Sequence, residues 1–313
     1  MKKTLVIIAA RGLGDLIYHL PLLRSLYESY KQKLIIFSNK VNHSKEVYKH
    51  ETFHEKIIYF DNTRLPLFKT IKTIIDFKNL INQFNVDQLI LTGSPRRLMI
   101  PIYLSKVKEK IIFGQGKFFF TKDNKYQHLT YSEKIIKYTE SLKLPIKNNG
   151  FFLKNFELKK IEEIDYKKKI FISLDSHHNQ NNWNINNYIK IINKILLYNI
   201  KIFINFSPKK IYFLDLLPNE IINSKKIFFT NKKTIYEIIQ IINSCDHIIG
   251  NESGPVCLGA SLKKEVHSIY IPIHTPPESK IINKNTYYYN TEKENDETII
   301  NKIIDIVLKK EKY

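Results

Sequence analysis

Apolar positions along this chain follow two spacings that alternate. Short unbroken apolar runs, the length of strands buried on both faces, lead into longer stretches where apolar residues return every three or four positions. The first run is 5–10, and it leads into 15–30, where Leu16, Leu20, Leu23 and Leu26 share one helical face. Residues 34–37, 56–60, 88–91 and 110–113 repeat the strand pattern, with helices predicted over 67–84 and 94–105. Such alternation predicts a parallel sheet covered by helices.

The rhythm fails over 114–125, which is aromatic and without a clear period, and a helix is predicted over 131–142. Residues 143–168 are polar and Lys-rich, contain Pro145 and Gly150, and read as a linker. A second series follows, with strands at 170–174, 200–205, 226–230, 247–250 and 266–271. Its helices are predicted at 184–198, 209–217, 234–243 and 255–262. The expectation is two doubly wound α/β domains, 1–150 and 165–290, facing a cleft between them. In the remaining segment, 291–313, a charged amphipathic stretch at 295–310 is expected to form a helix that packs back on the first domain. No repeat of solenoid length is present.

Composition narrows the class. At 313 residues the chain suits two domains better than one core, and 43% hydrophobic residues with 12% aromatics remove disorder from the reading. No apolar run approaches the ~20 residues that span a bilayer. Met1-Lys2-Lys3 before TLVIIAA superficially suggests a signal peptide, but Arg11 and Asp15 follow at once, so a buried first strand fits better. With only Cys245 and Cys257 there is no disulfide framework, which suits a reducing cytoplasm. The formal charge of +20 favours nucleic acid, anionic membrane or phosphorylated partners. The excess is nearly all Lys, in a chain also crowded with Ile and Asn, as a compositionally biased genome produces. Without a run of five Lys/Arg, an RNA-binding sheet signature or zinc-finger spacing, nucleic acid is not expected. An acidic surface or substrate is.

Candidate chemistry sits at two strand-to-helix junctions. Arg11-Gly12-Leu13-Gly14-Asp15 opens the first helix, where tight glycine turns and unpaired N–H groups suit an anion. It is not the dinucleotide fingerprint, because Ile17 stands where the third glycine belongs, and no Gly-Lys-Ser/Thr follows to make a P-loop. A nicotinamide-dependent oxidoreductase would also need a ribose-binding acid after the second strand, which is lacking. Asp15 has two readings: a cap for the helix that follows, or a functional carboxylate at the edge where such sheets bind ligands. The second junction is Gly250-Asn251-Glu252-Ser253-Gly254-Pro255. There Pro255 fits a first helical turn, Ser253 suits a cap, and Gly254 lets a ligand approach the backbone.

Together these segments carry a resemblance. GLGDLIYHLPLLRSL, with its Gly-Asp followed by Pro21 and Leu23, resembles the N-terminal motif of glycosyltransferase family 9. CDHIIGNESGPVCLGASL resembles that family's C-terminal signature, usually Asp-Ser/Thr-Gly-Pro with a His three residues after the Gly. Known members are ADP-heptose:lipopolysaccharide heptosyltransferases with the GT-B fold of two Rossmann-like domains. The resemblance implies an inverting, metal-independent transfer with no cofactor, in which Asp15 is the general base toward an acceptor hydroxyl. It implies that Glu252, Ser253, Gly254 and Pro255 hold the sugar and pyrophosphate of a nucleotide-sugar donor such as ADP-heptose. The acceptor implied is a phosphorylated glycolipid at the cytoplasmic face of the inner membrane, with peripheral contact to the anionic surface.

This chain also departs from the family pattern. Glu252 replaces the usual Asp, and Cys257, simplest as a packing residue, stands at the position of the usual His. Asp175-Ser176-His177-His178 opens a segment that usually carries hydroxyls and a Lys two residues before Trp. Ser176 keeps a hydroxyl, but Asn181 replaces the Lys. Ser207-Pro208-Lys209-Lys210 holds no acid where members commonly place one for the ribose. These losses motivate a second reading, a non-catalytic GT-B protein that binds a nucleotide sugar or a partner. His177 is a candidate phosphate or sugar contact, with a solvated loop as the bland alternative. Arg64, Arg96 and Arg97, three of only five arginines, are candidates for a phosphorylated acceptor or solvated surface residues.

Overall fold

Thr4–Ile8 forms strand β1, and all five residues are buried, as in a strand covered on both faces. The computed structural model describes residues 2–10, 12–60, 67–92, 96–114, 125–126, 128–146, 151–153, 166–176, 182–272 and 285–309. The chain divides into two units, Met1–Phe151 and Phe152–Tyr313, with the division inside the predicted linker.

In the first unit β1 leads to helix α1 (Leu13–Tyr30), and β2 (Leu34–Asn39) to the short α2 (Ser44–Val47). Then come β3 (His54–Phe60), α3 (Leu67–Gln83), β4 (Gln88–Thr92), α4 (Arg96–Tyr103), β5 (Glu109–Ile112) and α5 (Tyr131–Ser141). The strands are parallel in the order β3-β2-β1-β4-β5. Leu5 and Ile7 of β1 join Phe37, Leu89 and Leu91 in one core, closed by Phe77 and Ile81 of α3. The leucines that predicted α1 are all buried. Arg24 of α1 is structural: its guanidinium makes a two-pronged contact with the buried Glu51, at 2.6 and 3.2 Å.

The second unit repeats the plan with one more strand. Its order in sequence is β6 (Lys168–Ser173), α6 (Ile185–Leu196), β7 (Ile200–Asn205), a 3-10 segment Pro208–Leu216 and α7 (Asn219–Ile222). It continues through β8 (Ile227–Phe229), α8 (Ile235–Ser244), β9 (His247–Asn251), α9 (Gly254–Ser261), β10 (Glu265–Tyr270), β11 (Thr286–Asn290) and α10 (Asp296–Leu308). All strands are parallel in the order β11-β10-β9-β6-β7-β8. Two glycines permit the close packing beside β9. A Cβ on Gly250 would stand 2.9 Å from the Ser173 carbonyl oxygen, and one on Gly259 of α9 would stand 2.6 Å from Ile248.

Three elements of the second unit go beyond the pattern read from sequence or differ from it. The buried face of α10, with Ile299, Ile300, Ile303, Ile304 and Val307, completes the core of the second unit against α6. The reason is a matching apolar stripe on α6, Tyr188, Ile191, Ile192 and Ile195, reinforced by Asp296, which accepts from Trp183 Nε1 and Asn187 Nδ2 at 2.7 Å each. Strand β11 has no apolar run to announce it, because only Tyr289 of this edge strand is fully buried. The helix predicted at 209–217 is a kinked 3-10 segment, with Lys210 at φ −114° and ψ 39°.

Candidate functional site

Ligands of open α/β sheets bind at the carboxyl ends of strands where strand order reverses. In the first unit that reversal lies between β1 and β4, and α1 begins there. Gly12 takes the N-cap position with extended backbone, which makes Asp15 the third residue of the helix. Its carboxylate Oδ2 accepts the Gly12 N–H at 2.9 Å. Asp15 therefore does cap, but from inside the first turn back to the cap residue, the return limb of a capping box. The side chain is half-buried. Burial pushes its carboxyl above the usual Asp range, and the Gly12 N–H only partly opposes this.

Behind Asp15 lies a neutral wall. His19 is fully buried, and its Nδ1 stands 2.7 Å from the Asp15 backbone oxygen. A carbonyl only accepts, so Nδ1 carries the proton, and Nε2 is a bare buried acceptor with no partner. Burial lowers the His19 pKa to about 4, keeping it uncharged. The ring of Tyr131 from α5 packs 5.9 Å from it, and burial followed by the Asp15 charge raises the Tyr131 phenol.

In the second unit the reversal lies between β6 and β9. The turn after β9 is Glu252-Ser253-Gly254, and Ser253 is the N-cap of α9. Its hydroxyl makes no capping bond, contrary to the sequence expectation, and Oγ is buried without a partner. Cys257 N–H makes the first bond of the helix, to Ser253 O at 3.0 Å. Gly254 and Val256 thus precede the helical ladder, and Pro255 has no N–H. Glu252 is half-buried, and its charge, after burial, raises the phenol of Tyr270. Cys257 is a buried thiol outside any disulfide.

The loop after β6 is joined to this turn. Asn251 Oδ1 accepts Trp183 N–H at 2.8 Å, and Asn251 Nδ2 donates to Leu174 O at 3.4 Å. Ser176, buried, donates its N–H to Asn182 Oδ1 at 2.8 Å. The structure thus brings Ser176 and the 252–255 turn to one reversal point. Arg64 and His177 lie outside the described residues. Arg96 and Arg97 open α4, and their side chains are also outside. Sequence reasoning missed His19 and a buried pair between Asp175 and Lys210, 3.4 Å apart. The only signal for the pair was the absence of an acid near Lys210. Among the described residues no group of three His, Cys, Asp or Glu is arranged to hold a metal ion. Nor is any described helix long and apolar enough to cross a membrane.

A family model for glycosyltransferase family 9 (heptosyltransferase) matches residues 139–303, more than half of the chain. The chain belongs to glycosyltransferase family 9. No curated protein sequence matches it. Solved structures of similar fold include a glycosyltransferase family 9 protein from Veillonella parvula, at 17% identity and TM-score 0.75, covering 98% of this chain and 89% of that one. ADP-heptose lps heptosyltransferase II of E. coli is 12% identical at TM-score 0.79, with 99% and 100% covered. E. coli heptosyltransferase WaaC with ADP is 12% identical at TM-score 0.73, with 98% and 99% covered. This family 9 glycosyltransferase therefore has the GT-B architecture of two Rossmann-like units.

Proposed function

We propose that the protein transfers a sugar, in the first instance heptose from ADP-heptose, onto a lipopolysaccharide core or related surface glycan by an inverting, metal-independent displacement. The observation that carries this reading is the Asp15 carboxylate, half-buried at the reversal point of the first sheet with its carboxyl above the usual range. A raised pKa makes the carboxylate a better proton acceptor. As the acceptor oxygen bonds to the anomeric carbon, its proton passes to Asp15. The bond from that carbon to the diphosphate oxygen breaks on the opposite face, so the configuration inverts.

In the second unit, the Ser253 hydroxyl and the N–H groups of Gly254 and Val256 are the proposed diphosphate donors. Pro255 fixes that first turn, Glu252 is assigned to the sugar, and Ser176 and His177 to further donor contacts. Arg64, Arg96 and Arg97 are assigned to a phosphorylated acceptor. The E. coli WaaC structures contain ADP and ADP-2-deoxy-2-fluoro heptose, which supports an ADP-sugar as donor. The net charge of +20 supports peripheral contact with the anionic cytoplasmic face of a membrane.

The test is a panel of nucleotide sugars in thermal-shift assays, followed by transfer with the donor that stabilises the fold. Stabilisation by ADP-heptose with turnover supports the reading; stabilisation by another donor alone replaces the sugar. Cys257 at the position of the family's His favours a second reading, a nucleotide-sugar binder without turnover. Binding without transfer or donor hydrolysis would decide for it.

A further inference from the structure

Asp175 and Lys210 form an ion pair whose side chains are only 9% and 13% exposed. Every other described ion pair of the second unit has a more exposed partner. The desolvation cost of two buried charges commonly cancels their attraction, so stability does not account for the pair. Its position is informative. Asp175 follows β6 by two residues and Lys210 follows β7 by five, so both stand at the carboxyl edge of the sheet, beside the reversal point. The kink at Lys210 interrupts the 3-10 segment at this residue.

The contacts hold the ammonium at the donor loop. Lys210 Nζ donates to Ser176 O at 2.8 Å and stands 3.4 Å from Asp175 Oδ2. The Ser207 N–H, at 3.2 and 3.3 Å, also points to the two Asp175 carboxylate oxygens. The carboxyl is nevertheless above its usual range, because burial outweighs the pull of Lys210 and Ser207. Asp175 thus has a second partner of its own, and Lys210 has a long rotatable stem. Strands β7 and β9 flank β6, so their turns stand about 10 Å apart.

We propose that Lys210 is a reserve cation for the donor's diphosphate, held by Asp175 until the nucleotide arrives and then passed to a phosphate oxygen. This rests on the second unit being the donor unit. Asp175 keeps its bond to Ser207 N–H and competes with the phosphate for the ammonium, setting how tightly anions bind.

Competition predicts opposite signs for the two partners, where a merely structural pair predicts loss from both. The measurement is calorimetric titration of the full chain with ADP, inorganic pyrophosphate and adenosine. Lys210→Met should weaken ADP and pyrophosphate about tenfold to a hundredfold, the range for one charged hydrogen bond. Asp175→Asn keeps the shape and an acceptor for Ser207 N–H but removes the charge, and should tighten both anions. Lys210→Arg should retain binding, and adenosine affinity should move in none of the variants. Circular dichroism and melting curves without ligand confirm folding; if Lys210→Met does not fold, the sign for Asp175→Asn decides alone. Weakened or unchanged anion binding in folded Asp175→Asn overturns the inference and leaves the donor unit standing. A wild-type chain that binds neither ADP nor pyrophosphate overturns both.

Discussion

A carboxyl group held above its usual pKa in the folded chain is least stable there when ionised, and Asp15 is such a group. The linkage has a definite sign. Because the folded pKa is raised, the folded state gains relative stability as pH falls below it and is destabilised by the charge at neutrality. Asp15→Asn is therefore expected to raise the melting temperature at neutral pH while cutting kcat ~10²–10⁴-fold. A role in capping alone gives the same rise with turnover intact. For the wild type, the acid limb of the kcat profile should lie above 3.8, the ordinary value for this carboxyl. Gly12→Ala tests its placement. Gly12 has φ −76° and ψ 145°, which alanine adopts freely, but the new Cβ would stand 2.8 Å from Asp15 Oδ2. The carboxylate must swing off the Gly12 N–H, so kcat should fall with ADP affinity unchanged; normal kcat would show that this bond does not position the base. The motif made Asp15 legible from sequence. Its helix position was not, because which glycine takes the extended N-cap conformation depends on how β1 delivers the chain.

Strands and helices were legible where apolar period and burial coincide, as in β1 and α6, and α1 buries its predicted leucines together with Ile17, Tyr18, His19 and Leu22 between them. They were not where burial is one-sided or bonding is distant. Strand β11 places one Tyr in the core, and the partners of Asp296 lie 113 and 109 residues away. Gly250 shows how an element boundary enters the energetics. Its missing side chain lets β9 lie against Ser173 of β6, where the atom that a Cβ would meet is backbone and cannot rotate aside. Gly250→Ala should cost about 1–3 kcal/mol, as overpacking does, read as a lower urea midpoint with an unchanged m-value. A midpoint within error of wild type would mean that the strands separate freely there.

At the level of the whole chain, each unit carries a parallel sheet whose order reverses once, and the two groups of candidate residues lie at those reversals. A nucleotide that binds one unit stabilises that unit by mass action. The charge of +20 belongs to the chain as a whole and is long-ranged only in dilute salt. Binding to vesicles rich in anionic lipid should be strong near 0.01 M ionic strength, where screening reaches about 30 Å, and lost near 1 M, where it reaches about 3 Å. Retention at high salt in a sedimentation assay would assign the contact to apolar insertion instead. Fold class was readable from the alternation of periods, whereas the Asp175–Lys210 contact depends on a backbone kink that no local pattern encodes.

The dependence of the second core on α10 also has a consequence during synthesis. Chains emerge from the ribosome at about 5–20 residues per second, so completing the second unit trails the first by roughly ten to thirty seconds. From the emergence of α6 until α10 follows about a hundred residues later, the α6 stripe lacks Ile299, Ile300, Ile303, Ile304 and Val307, the residues that cover it. A nascent chain therefore carries a finished first unit beside a sticky, uncovered second one. It is during this window that a chaperone has most to bind.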